Sequence, residues 1–192
     1  MSQHDLETHL KSWYAIVLEL SRIRLSTSML HKPDGYARLR IQFTGPLGYP
    51  GKIFMDLSFD EPVCLEPVRR PLITHPFSDK PGHVPAYPLE ELLAEKMRSM
   101  LERGKSRDYY DVWRLLKEHM AEIDSSVMTD VFGKKLSHKN LVMKSIDDFF
   151  PADIKTSERY WSIELGQQLS DLPPLTTVLK ELRQQLNALI KM

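Results

Sequence analysis

Four residues in this sequence have side chains suited to work on phosphates: Asp56, Lys96, Asp108 and Asp111. A carboxylate holds a hard divalent cation through one or two oxygens plus water, and a lysine ammonium acts as a point charge on phosphate oxygens. Nucleotidyl transfer needs both: carboxylates for Mg²⁺, and cations to offset the charge that builds on the leaving pyrophosphate. The spacing also permits a purely structural reading. With Arg103 added, Lys96, Asp108 and Asp111 could form an ion network that only fixes two helices against each other.

The elements that must position these residues can be read from periodicity. Leu89, Leu92, Leu93, Met97 and Met100 recur at helical steps, and at about 100° per residue Lys96 and Arg103 fall on the same apolar side or its margin. Glu91, Glu95, Arg98 and Glu102 occupy the far side. Gly104 is suited to end this helix and Ser106 to cap the next, which runs from about Arg107 through Val112, Leu115, Leu116 and His119. On that second helix Asp108 lies on the packed side and Asp111 at its edge. A helical hairpin would therefore bring Lys96 and Arg103 close to Asp108 and Asp111, because an ammonium on an apolar face needs an anionic partner.

Asp56 belongs to a different kind of element. Leu39, Ile41 and Phe43 alternate with Arg38, Arg40, Gln42 and Thr44, as in a half-buried strand. Turn residues Gly45 to Gly51 interrupt the pattern, and Lys52 to Phe59 resumes it as a neighbouring antiparallel strand. Ile53, Met55, Leu57 and Phe59 form its apolar face, which sends Asp56 to the other side at mid-strand. Aspartate is disfavoured there, so the position fits a solvated carboxylate or a metal ligand. A helical stripe of Leu6, Leu10, Trp13, Val17 and Leu20 precedes the strands and is read as core.

The chain has 192 residues, which bounds it to one domain or a small domain with an appendage. Nine of its 13 prolines lie from Pro46 to Pro88 and none between Leu89 and Phe150. The expectation is an α+β protein, with an α/β portion and proline-rich connector over 1–88 and a helical domain over 89–192. His75 and His83 in the connector lack the spacing and companions of a metal site. Equal numbers of basic and acidic residues, 26 each, exclude a bulk field for nucleic acid or anionic membranes, so any such contact must come from a local patch. The single cysteine, Cys64, excludes an internal disulfide framework, and no apolar run spans a bilayer. The expected compartment is the cytoplasm, with no membrane partner.

The segments Leu89–Met97 and Arg103–Trp113, reading LEELLAEKM and RGKSRDYYDVW, resemble the helical-hairpin signature of the AbiEii/AbiGii toxin nucleotidyltransferases. The stretch Thr44–Gly48, the strand Lys52–Ser58, Glu61-Pro62 and Arg69–Leu72 resemble the same family in the same order, so the likeness covers Tyr36 to Leu116. The resemblance implies a polymerase β-like fold and transfer of a nucleoside monophosphate from a nucleoside triphosphate to an RNA, with tRNA ends as acceptors. It implies Mg²⁺ and NTP as cofactors and a cognate antitoxin as partner. Carried over by position, Asp56 is the third catalytic carboxylate and metal ligand, and Lys96 contacts nucleotide phosphates. Arg103 and Arg107 of the same motif are further nucleotide contacts, and either Asp108 or Asp111 is the essential acid of the last motif.

The family's opening motif, a Gly-Gly or Gly-Ser turn followed by Asp-x-Asp, has no counterpart here. The expectation is a C-terminal portion of such a toxin, inactive alone, with a partial nucleotidyltransferase sheet followed by a helical bundle. The alternative is a non-enzymatic helical binding module or degenerate remnant with a structural ion network. At the C-terminus Leu175, Leu179, Leu182, Leu186 and Leu189 have coiled-coil spacing over two heptads, read as a docked terminal helix or an interaction surface.

Overall fold

The computed structural model describes residues 3–31, 35–72, 82–151 and 158–190. Its elements are α1 (Gln3–Ser21), β1 (Leu25–His31), β2 (Tyr36–Thr44), β3 (Pro50–Ser58), β4 (Val68–Pro71), β5 (His83–Ala86), α2 (Leu89–Arg103), α3 (Ser106–His119), α4 (Ser125–His138), α5 (Glu158–Leu165) and α6 (Leu175–Leu189), with short 3₁₀ turns at Met120–Glu122 and Ile146–Phe149. Packing divides the chain into two compact units, Met1–Glu61 and Pro62–Met192. This is the expected α+β class.

The first unit is α1 and a three-stranded antiparallel sheet in the order β1-β2-β3. Period-two alternation along β2 buries Ala37, Leu39 and Ile41, while Arg38 and Gln42 are exposed and Arg40 is half-buried. The β2–β3 hairpin pairs in register from Tyr36↔Ser58 to Thr44↔Pro50. Gly48 closes the intervening turn with φ +80°, a conformation that favours glycine. β1 pairs with the other side of β2, from Leu25↔Phe43 to His31↔Arg38. Polar Ser26, Thr27 and Ser28 mask the alternation of β1 in the sequence.

Two expectations about this unit need correction. The stripe on α1 is not all core: Leu6 is buried, but Trp13 is 41% exposed and Leu20 81%. The apolar face of β3 is likewise open at Ile53, with Met55, Leu57 and Phe59 half-buried. Both departures have one physical cause: a single helix covers too little of the face of a three-stranded sheet, and β3 is an edge strand.

The second unit is built around α2. Leu93, Ala94, Met97 and Met100 join Tyr109, Val112 and Leu116 of α3, Met128, Val131 and Phe132 of α4, and Val178, Leu182 and Leu186 of α6 in one core. Gly104 ends α2 in the left-handed region at φ 53°, as expected, and allows α3 to fold back. α3 begins at Ser106, but Ser106 is not its cap; the Asp108 carboxylate reaches back to the Lys105 N–H at 3.3 Å. Tyr109 donates its buried hydroxyl to the Phe149 carbonyl, and the Trp113 indole N–H reaches Glu181 on α6 at 2.8 Å. α6 is thus docked through its leucines. The connector pairs with itself as the two-stranded β4–β5 ribbon, where Pro71 and Pro85 are tolerated because both strands are edges. His83 begins β5, whereas His75 lies outside the described residues.

Candidate functional site

The α2–α3 hairpin sorts the four charges of its motif into two separate pairs. Lys96 Nζ meets Asp111 Oδ2 at 2.6 Å, with the two side chains 30% and 36% exposed. Leu92, Lys96, Asp111, Arg114, Leu115 and Glu118 line a groove of about 320 Å³. On its rim Arg114 pairs with Glu118 at 2.9 Å. An ion pair that is one-third exposed is held loosely, so its ammonium can exchange a carboxylate for another anion at small cost.

The second pair is closed. Arg103 donates through Nε and a terminal nitrogen to the two Asp108 oxygens at 2.9 and 2.8 Å, a fork-to-fork geometry. Asp108 is fully buried and also accepts from the Lys105 backbone, so it ties the end of α2 to the start of α3. Its hydrogen bonds raise Arg103 further above the ordinary guanidinium value. Arg107, one residue before, is exposed on the first turn of α3.

Asp56 stands in the first unit, mid-way along β3 and cross-strand from Arg38. Tyr36 donates its hydroxyl to Asp56 Oδ1 at 2.5 Å, and Arg38 Nε lies 3.5 Å from the same oxygen. That hydrogen bond is the largest cause holding the Tyr36 hydroxyl above its usual pKa. The carboxylate is 54% exposed. Among the described residues no group of three or more His, Cys, Asp or Glu converges as a metal site. The donors around Asp56, one carboxylate beside a phenol and a guanidinium, do not by themselves fit a two-metal centre.

Sequence reasoning missed the largest buried charge cluster. The far side of α2, to which the sequence reading assigned no partner, packs on α4: Glu91 is fully buried and Arg98 only 4% exposed. Lys135 of α4, 3% exposed, meets Glu91 at 2.6 Å and Glu95 at 3.2 Å, and donates to the Pro62 carbonyl at 2.9 Å. Glu91 also accepts the backbone N–H groups of Cys64 and Leu65, both at 3.0 Å. Arg98 bridges Glu95 and Glu102. Burial favours neutral Lys135, but the hydrogen bond to Glu91 and the two carboxylate charges outweigh it and raise the ammonium pKa. Burial likewise opposes ionised Glu95, yet Arg98 and Lys135 hold it below the ordinary carboxylate range. The Glu95-Arg98-Glu102 spacing was a legible signal for the intrahelical part. Nothing local pointed to Lys135.

Comparison with known proteins assigns the chain to a family. The family model described as nucleotidyl transferase AbiEii toxin, type IV toxin–antitoxin system, matches residues 2–188. The chain belongs to the AbiEii family, and the match extends beyond the motif-bearing stretch on both sides. Among solved structures it is similar to MenT4, a nucleotidyltransferase toxin from Mycobacterium tuberculosis H37Rv, with a TM-score of 0.60 and 15% identity over 93% of this chain and 65% of that one. It also matches JHP933 from Helicobacter pylori, with a TM-score of 0.45 and 13% identity over 88% of this chain and 65% of that one. At such identities the MenT4 likeness establishes the fold alone. The chain spans just under two thirds of either structure. No curated protein matches the sequence. No helix among the described residues is long and apolar enough to cross a membrane.

Proposed function

We propose that the Lys96–Asp111 groove is the nucleotide-handling part of an AbiEii-type nucleotidyltransferase, which transfers a nucleoside monophosphate from an NTP to an RNA acceptor such as tRNA. The observation that carries this reading is the contrast between the two ion pairs. Lys96 and Asp111 share an open groove, while Asp108 is consumed by the Arg103 fork and the α3 cap. Asp111 is therefore the essential acid of the hairpin motif, and Lys96 the group that meets phosphate oxygens. Asp111 positions the ammonium, and Lys96 offsets negative charge on the nucleotide. Arg107, exposed on the first turn of α3, can reach a phosphate, whereas Arg103 serves the hairpin.

Mg²⁺ is part of the chemistry that family membership implies, and Asp56 is its proposed sheet ligand. Because the donors near Asp56 do not complete a two-metal centre, this chain alone is proposed to be inactive. A type IV toxin–antitoxin family also implies a cognate antitoxin. The reading is tested by titrating Mg²⁺-NTP into the wild type, Lys96→Met and Asp108→Asn. Binding lost in Lys96→Met and kept in folded Asp108→Asn is the expected result. Equal affinity of wild type and Lys96→Met overturns it. Turnover of radiolabelled NTP with tRNA by the chain alone, abolished in Asp56→Ala, overturns the proposed inactivity.

A second reading, a non-enzymatic helical module, draws support from the buried Glu91–Lys135 cluster, which shows that this fold uses charge structurally. The two readings separate on the same variant: a large stability loss in Lys96→Met without any nucleotide affinity favours the module.

A further inference from the structure

The solvent face of the first unit's sheet carries Asp56 and, around it, residues to which the proposed nucleotide site assigns no role. Period-two geometry and the β2–β3 register put three cross-strand pairs on it: Arg38↔Asp56, Arg40↔Phe54 and Gln42↔Lys52. Phe54 sits at the centre of this face and is 46% exposed. The Arg38 guanidinium lies 5.2 Å from the centroid of its ring and the Lys52 ammonium 5.8 Å. Arg40 is held in place by Ser28, which accepts from its Nε at 3.2 Å. Two cations thus lie over one exposed ring and a third, Arg40, stands cross-strand from it, while Asp56 is the one carboxylate of these three pairs.

This composition is odd for an ordinary wet sheet face. An exposed aromatic at mid-strand gains little from burial, and three cations on adjacent positions repel one another. The contact between Arg38 and Asp56, 3.5 Å apart and about half-exposed, offsets only part of that charge. Cations spaced along and across strands, with an aromatic ring between them, are what a flexible polyanion with flat bases requires. Phosphates meet the cations, and a base stacks on the ring regardless of its sequence. Same-face residues on a strand are about 6.7 Å apart, so the cations form a track and not a point site.

We propose that the exposed face of the β1–β2–β3 sheet binds a single-stranded polynucleotide, with Phe54 as the stacking ring and Arg38, Arg40 and Lys52 as phosphate contacts. An incoming base exchanges with one of the cations now over the ring, and that cation then meets the neighbouring phosphate. Gln42 stands on the same face, where its amide can reach a base edge. As the contact surface for an acceptor strand this proposal rests on the transferase reading; the binding itself does not.

Fluorescence anisotropy of the full chain with labelled 12-nucleotide oligouridylate and oligodeoxythymidylate tests it, with duplex RNA and polyglutamate as competitors. Three phosphate contacts predict a salt dependence with a log–log slope of about −2 for a single strand. Phe54→Ala should weaken binding about tenfold or more, and Phe54→Trp should retain it. Arg38→Gln combined with Lys52→Gln should flatten the slope to about −0.7. Binding of RNA alone means that the 2′-hydroxyl is read, and equal binding of both strands means a general single-strand surface; either supports the proposal. Affinity unchanged in Phe54→Ala, preference for duplex or polyglutamate, or no binding at low salt overturns it. Lys96→Met must leave oligonucleotide affinity intact, so a failed nucleotide groove and a failed sheet surface give different results. Phe54 and Lys52 are exposed, and unchanged circular dichroism of the variants confirms that they fold.

Discussion

The two charged sides of α2 carry similar residues to different ends. On one side Glu91, Glu95 and Arg98 are sealed against α4 and the start of the connector, and every charge has several partners. On the other Lys96 meets Asp111 alone among the described residues, in an open groove. The difference teaches that burial turns an ion pair into structure and partial exposure leaves it available. A lysine that can leave its carboxylate for a phosphate must not be needed by the fold.

The strongest way to break this comparison is at Glu91. Glu91→Ala leaves two buried backbone N–H groups without their acceptor and takes from the Lys135 ammonium its shortest ion pair, with Glu95 and the Pro62 carbonyl remaining, and should cost about 3 kcal/mol in urea unfolding. Replacing Glu91 and Lys135 together by Leu and Met should recover much of that loss, because no unpaired charge then remains. A Glu91→Ala loss below about 1 kcal/mol would mean that the cluster is no more structural than the groove. Asp108→Ala comes next. It removes the α3 cap and a buried partner of Arg103, for about 2–3 kcal/mol by thermal unfolding.

The same cluster predicts a pH dependence. Glu95 is held below its ordinary value, so its contribution to stability is complete above about 4.5 and is lost as pH falls through the folded value. Lys135 is raised, so its contribution is complete below its ordinary value and is lost as pH rises through the folded one. Melting temperature followed from pH 6 to pH 3 should fall less steeply in Glu95→Gln than in the wild type. Parallel curves would remove Glu95 from the acid limb. The smallest effect belongs to the groove: Lys96→Met should change stability by less than about 1 kcal/mol, while Mg²⁺-NTP affinity is lost. A larger stability loss would place Lys96 with the buried cluster.

Much of this was legible before any coordinates. α2 and α3 follow from their leucine and methionine spacing, and Gly104 marks the turn because few other residues adopt its left-handed backbone. The β2–β3 hairpin follows from alternation on both sides of a glycine-rich turn. The helical wheel also distinguished Asp108, on the packed side, from Asp111, at the edge. Its two orientations correspond to 0% and 36% exposure, yet only the partners separate their roles. β1 was not legible because its serines and threonine blur the period-two pattern. The exposure of Trp13 and Leu20 was not legible either, since a stripe of apolar residues records which face could be buried and not how much surface is there to cover it.

The sequence by itself determined the α+β class, the β2–β3 hairpin and the charged α2–α3 hairpin, because these depend on local spacing along one chain, and the likeness of its motifs pointed to the family. Only the tertiary structure decided which charges are sealed and which stay open. Lys135 lies far along the chain from Glu91, and Pro62, Cys64 and Leu65 are remote from α4. The ion network they form exists only where packing brings α2, α4 and the connector together. The same holds for the sheet face, where Phe54 has Lys52 from its own strand but acquires Arg38 from the neighbouring one. Charge in a sequence is a composition; its dielectric surroundings, and so its use, are set by what packs beside it.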